Sequence, residues 1–118
     1  MSITIFPNEL LVFSAIITSV SALFWRFPPK QINQSYGYRS GRSMKSEEAW
    51  EAANQYASRK LLAITTISSV LTLFFYAYYE DAMKDYGAVY GLAFISMSVF
   101  LVVPMTESYL KRHFSDDE

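Results

Sequence analysis

Arg39, Arg42 and Lys45 are close neighbours in sequence, and Gly37 and Gly41 stand among them. Glycines permit turns that other residues resist, so the three cations can be gathered onto one small surface. Two kinds of chemistry suit that grouping. In the first, Tyr36-Gly37-Tyr38-Arg39 folds back on the protein, and Arg39 pairs with a carboxylate such as Glu48, or with Asn54 and backbone carbonyls. The planar guanidinium fork offers several donors in fixed geometry for that role. In the second, Arg39, Arg42 and Lys45 bind a lipid phosphate or an acidic partner. Ser43 or Ser46 is placed to cap a helix, with Met44 and Lys45 between them and Glu47, Glu48 and Glu51 in the first turns, where the helix dipole favours them. Trp50 then reads as an interface anchor or a ligand platform. Asn54, one turn further on, presents an amide that can hydrogen-bond the loop.

Catalysis and metal binding find little support. The chain has no cysteine and one histidine, His113, beside Lys111 and Arg112. That excludes a disulfide framework, a cysteine nucleophile and the usual zinc ligand sets. Ser43 has no histidine near it in sequence to act as a base. No glycine-rich phosphate loop matches a known template. The reading is a protein that is not an enzyme and carries no cofactor. The basic cluster is small and interleaved with acids, which argues against nucleic acid.

These residues must be positioned by their surroundings, and those are apolar. Hydrophobic residues make up 52% of the 118 residues and aromatics 17%. Mean hydropathy is only +0.13 because the polar residues concentrate in one connection and the tail. Three uncharged stretches run through Leu10–Trp25, Leu61–Tyr79 and Tyr86–Thr106. A bilayer core about 30 Å thick needs on the order of 20 such residues per helical span. Hydrocarbon also requires every backbone polar group to be paired internally, which makes the stretches helices.

Nine of the ten Lys and Arg residues lie in the first connection or the tail, and only Lys84 lies between the second and third stretches. By the positive-inside rule the first connection and the C-terminus are cytoplasmic and the N-terminus is outside. Trp25 and Phe27 stand at the inner end of the first span; Tyr76, Tyr78, Tyr79, Tyr86 and Tyr90 gather at the outer ends. The first stretch follows no basic n-region, so it reads as a retained helix and not a cleaved signal.

The expected architecture is an all-α membrane protein of three transmembrane helices, about 8–26, 60–79 and 86–106. A motif loop and a cytoplasmic interfacial amphipathic helix fill about 28–59, with Ala49, Trp50, Ala53, Tyr56 and Ala57 on one side. Residues 113–118 form an acidic tail. Within the spans, Ser14, Thr18 and Ser21, then Thr65, Ser68 or Ser69, and Thr72, form narrow small-polar stripes suited to helix packing. Gly87 and Gly91 form a small-xxx-small pattern that allows close helix approach, including to a second copy in a homo-oligomer. Pro104 is expected to end or kink the third helix.

The run Ile32-Asn33-x-x-Tyr36-Gly37-Tyr38-Arg39-x-x-x-Ser43-Met44-Lys45-Ser46-x-Glu48-x-Trp50-x-x-Ala53-Asn54, between one span and a pair of spans, resembles the SdpI family of bacterial integral membrane proteins. The resemblance covers about Leu11 to Met105, and longer family members carry extra spans before this unit. It implies a location in the bacterial cytoplasmic membrane. It also implies an immunity role: protection of the cell against a membrane-acting toxic peptide, by binding and without catalysis. Signalling through a cytoplasmic regulatory protein, or part of an oligomeric transporter, is the alternative. Membrane lipids, a toxic peptide or that regulatory protein are the expected partners.

Overall fold

A computed structural model of the protein describes residues 8–33, 35–79, 81 and 84–114. Glu80 of the outer turn and the acidic tail from Ser115 lie outside the described residues. The described chain is helical, without strands: α1 (Asn8–Arg26), α2 (Glu47–Tyr78), α3 (Gly87–Val99) and α4 (Val102–His113). Three helical stretches are long and apolar enough to cross a membrane: α1, α2, and α3 with α4 taken together as Gly87–His113. α2 is the central element, packing against each of the others, while α1 also meets α3. The molecule is a rod, 62 × 24 × 18 Å.

The separate interfacial helix expected between the first two spans does not form. Its residues are instead the first turns of α2, one continuous helix of 32 residues. At 1.5 Å per residue that is about 48 Å, so α2 overshoots a bilayer core and projects from it. No Gly or Pro interrupts the sequence from Glu47 to Tyr78. Ser46 starts the helix in an extended conformation, its Oγ accepting the Ala49 N–H at 3.0 Å. Glu47 and Glu48 occupy the positive N-terminal turn. Ala49, Trp50, Ala53 and Ala57 are buried, continuing in helical register into Thr65, Ser68 and Thr72.

The third span is interrupted next to Pro104, where a kink or an end was expected, and helix resumes as far as His113. Phe100 and Leu101 separate α3 from α4, and their N–H groups reach back three residues, to Met97 O (3.2 Å) and Ser98 O (3.1 Å). Pro104 has no N–H to offer the Phe100 carbonyl and its ring crowds that oxygen, so the helix tightens one turn earlier.

Small residues bring the helices together. A Cβ on Gly91 would lie 2.7 Å from Thr72 Cγ2 and 3.1 Å from Leu10 Cδ1. Gly87 and Gly91 are both buried, and at Gly91 the close approach is made within the chain, by α3 against α1 and α2. Most hydroxyls of the small-polar stripes turn back onto their own helix, as Ser21 to Ile17 O (2.7 Å) and Thr72 to Ser68 O (2.7 Å). Such bonds satisfy the hydroxyl without a partner helix. These residues act as thin spacers.

Candidate functional site

The described residues of 27–46 do not form a free loop. They fold against the ends of α1, α2 and α4 through side-chain bonds to backbone groups. Gly37 makes the decisive turn at φ +106, a conformation L side chains rarely adopt, and a Cβ there would lie 2.5 Å from Pro29 Cγ and 2.6 Å from Asn54 Oδ1. Only glycine fits. The turn delivers the Tyr38 backbone to Asn54. The Tyr38 N–H donates to Asn54 Oδ1 at 2.6 Å, and Asn54 Nδ2 donates to Tyr38 O (3.3 Å) and Trp50 O (2.9 Å). Asn54 is 1% exposed, so its amide supplies the pairing that water cannot.

Neighbouring bonds lock the rest. Trp50, fully buried, donates its indole N–H to Pro29 O at 3.0 Å. The Tyr36 hydroxyl donates to Phe27 O at 2.6 Å, and its ring meets Phe24 edge-on. Asn33 Oδ1 accepts the N–H groups of Ser35 and Tyr36, at 2.9 and 2.7 Å. Ser43, also fully buried, closes a compact turn: its Oγ accepts the Ser40 N–H at 2.8 Å and lies 3.1 Å from Tyr38 O and Ser40 O.

The loop is fastened to the far end of the chain by Glu107 on α4. The Tyr38 hydroxyl donates to Glu107 Oε2 at 2.5 Å, and Arg42 Nη1 contacts Glu107 Oε1 at 3.2 Å. Burial first, then the hydrogen bond to Glu107 and its charge, push the Tyr38 phenol well above its ordinary range. The phenol therefore stays protonated and remains a donor. Beside this contact Tyr56 of α2 stacks on Tyr109 of α4, ring centroids 4.3 Å apart.

Several residues singled out in the sequence thus meet in one structure: Tyr36, Gly37, Arg42, Ser43, Trp50 and Asn54. Of the partners expected for Arg39, the structure shows a backbone carbonyl and, among the described residues, no contact with Glu48. Arg39 Nε donates to the Asn33 carbonyl at 3.0 Å, while Glu48 is exposed on the first turn of α2. Asn54 serves the Tyr38 backbone, not Arg39. Met44 is half-buried and Lys45 exposed. Sequence reasoning missed Glu107, the carboxylate the loop does use; its signal was its place as the first acid after the third apolar stretch. Among the described residues no group of His, Asp and Glu has a metal-holding arrangement.

Comparison with known proteins adds the family. The SdpI/YfhL protein family matches residues 30–107, running through the loop and ending at Glu107. The chain belongs to that family. An SdpI/YfhL relative is the uncharacterized protein YfhL of Bacillus subtilis (strain 168), 38% identical over 52 residues, which is 44% of this chain. The matched segment is 47% of that protein, so the chain spans about half the length of the curated relative it matches. No solved structure matches the chain.

Proposed function

We propose that this protein is a bacterial SdpI-type resistance protein of the cytoplasmic membrane, protecting the cell from a membrane-acting toxin or antimicrobial peptide by binding it without catalysis. The observation that carries this reading is the coincidence of the family match with the clasp: residues 30–107 run through the loop that folds on Asn54 and stop at the Glu107 that fastens it. The polar atoms gathered there are occupied in holding one another and the backbone, as a rigid binding surface requires. In this reading the clasp faces the cytoplasm, with the N-terminus outside and the C-terminus inside. The charge distribution supports that orientation: the cations of the first connection and of the α4 end share one end of the rod with Glu107.

Survival of cells lacking the gene, challenged with a panel of membrane-acting peptides, tests the reading. Wild-type protein restores survival to at least one peptide. Arg39→Ala and Asn54→Ala variants that still accumulate in the membrane restore at least ten-fold less. Equal survival with and without the gene across the panel contradicts the proposal. A second reading, recruitment of an acidic cytoplasmic regulatory protein, draws on the exposure of Arg39 and Lys45 on the outer side of the clasp. It predicts a soluble protein that co-purifies with the wild type and is lost from an Arg39→Gln/Lys45→Gln variant.

A further inference from the structure

A second polar feature lies where the C-terminal end of α1 meets α2. The end of α1 and the turns of α2 around Gln55–Arg59 border an open pocket of about 480 Å³ lined by Trp25, Arg26, Pro28, Gln55, Ser58 and Arg59. That volume lies in the ~300–1,000 Å³ range of small-molecule sites. Two arginines line this one pocket. Neither Arg26 nor Arg59 has a carboxylate partner among the described residues; the Arg26 guanidinium lies over the Phe27 ring, 5.1 Å from its centroid. The carbonyl end of α1 carries partial negative charge and disfavours an anion here, so the attraction rests on the two arginines.

We propose that this pocket binds the phosphodiester head group of an anionic phospholipid. Planar guanidinium forks match phosphate oxygens, and two of them from two helices hold one phosphate between them. The level is that of a lipid head group. Arg26 is the last residue of α1, and Arg59 stands two residues before Leu61, where the uncharged part of α2 begins. Trp25, 49% exposed, marks the same boundary. Membrane-ward of Arg26 on the same side of α1, Leu23 and Ile16 are each 58% exposed and offer an apolar track for the acyl chains. A soluble phosphate has no use for that track. Glu51 lines an adjoining pocket together with Lys30. Basic pockets between membrane helices on the cytoplasmic side are suited to such lipids.

The test is native mass spectrometry of the full-length protein in detergent, titrated with phosphatidylglycerol or phosphatidylcholine, with inorganic phosphate as a competitor. The wild type retains phosphatidylglycerol at least ten-fold better than phosphatidylcholine, and millimolar phosphate does not displace it. Each Arg→Gln change, Arg26→Gln or Arg59→Gln, lowers the preference on the order of ten-fold, the size expected for a charge-assisted bond. Lys111→Gln, on the C-terminal helix, leaves it unchanged. Should a Gln variant fail to fold, Arg59→Lys keeps the charge and loses the fork, and it retains a reduced preference for phosphatidylglycerol. Equal retention of the two lipids by the wild type overturns the proposal. So does displacement of phosphatidylglycerol by inorganic phosphate, or an undiminished preference in folded Arg26→Gln/Arg59→Gln protein.

Discussion

Asn54 carries the clasp because one amide answers three backbone groups: the N–H and C=O of Tyr38 and the C=O of Trp50. Removing it strips the Tyr38 N–H of its acceptor, a loss of about 1–3 kcal/mol, while Tyr38 O keeps Ser43 Oγ at 3.1 Å. Asn54→Ala is therefore expected to lower the thermal midpoint in detergent. Gly37→Ala is expected to lower it too, since the new Cβ meets Pro29 and Asn54 and the backbone sits at positive φ. The two effects should not add. Without the Asn54 amide, one of the two close contacts of the Gly37→Ala Cβ is gone, so the double variant is less damaged than the sum of the singles. Strict additivity would show that the two residues do not touch. The loop's own contribution was legible in the sequence: Gly37, Ser43, Trp50 and Asn54 announce themselves by type within a short run. The carboxylate was not. Arg42 and Glu107 are 65 positions apart, and nothing local marks which of the chain's acids a distant Arg will meet.

At the scale of elements, the apolar stretches were plain because hydrocarbon demands length and lack of charge, and both are countable in sequence. Where one helix passes into the next element was harder. Residues 47–60 have the amphipathic look of an interfacial helix, yet with no Gly or Pro before Leu61 nothing turns the chain, and α2 runs straight through. The helix junctions themselves depend on small residues. Gly91→Ala places a Cβ 2.7 Å from Thr72 Cγ2, on a stiff β-branched side chain that is itself buried. α3 must then move off α2, at a cost of about 1–3 kcal/mol. Gly41→Ala is the matched comparison, because nothing lies within 4 Å of its added Cβ. Its thermal midpoint should stay near that of the wild type, and a Gly91→Ala midpoint equally unchanged would refute the close packing of α3 on α2.

The whole molecule is a narrow rod whose described ionic contact, Arg42 with Glu107, lies at one end, where α1 finishes, α2 begins and α4 finishes. The spans hold their shape through small residues and self-satisfied hydroxyls, and the specific polar geometry is concentrated in the loop that ties three helix ends together. That concentration is why function is sought there, and it depends on the loop being folded in the free protein and not ordered only by a ligand. Amide hydrogen exchange of Tyr38 in detergent micelles or nanodiscs measures this directly, because its N–H is donated to Asn54 Oδ1 at 2.6 Å. In the wild type the Tyr38 amide is expected to exchange at least ten-fold more slowly than that of an unprotected peptide, and in Asn54→Ala that protection disappears. A Tyr38 amide that exchanges at the unprotected rate in the wild-type protein would contradict a loop folded in the free protein.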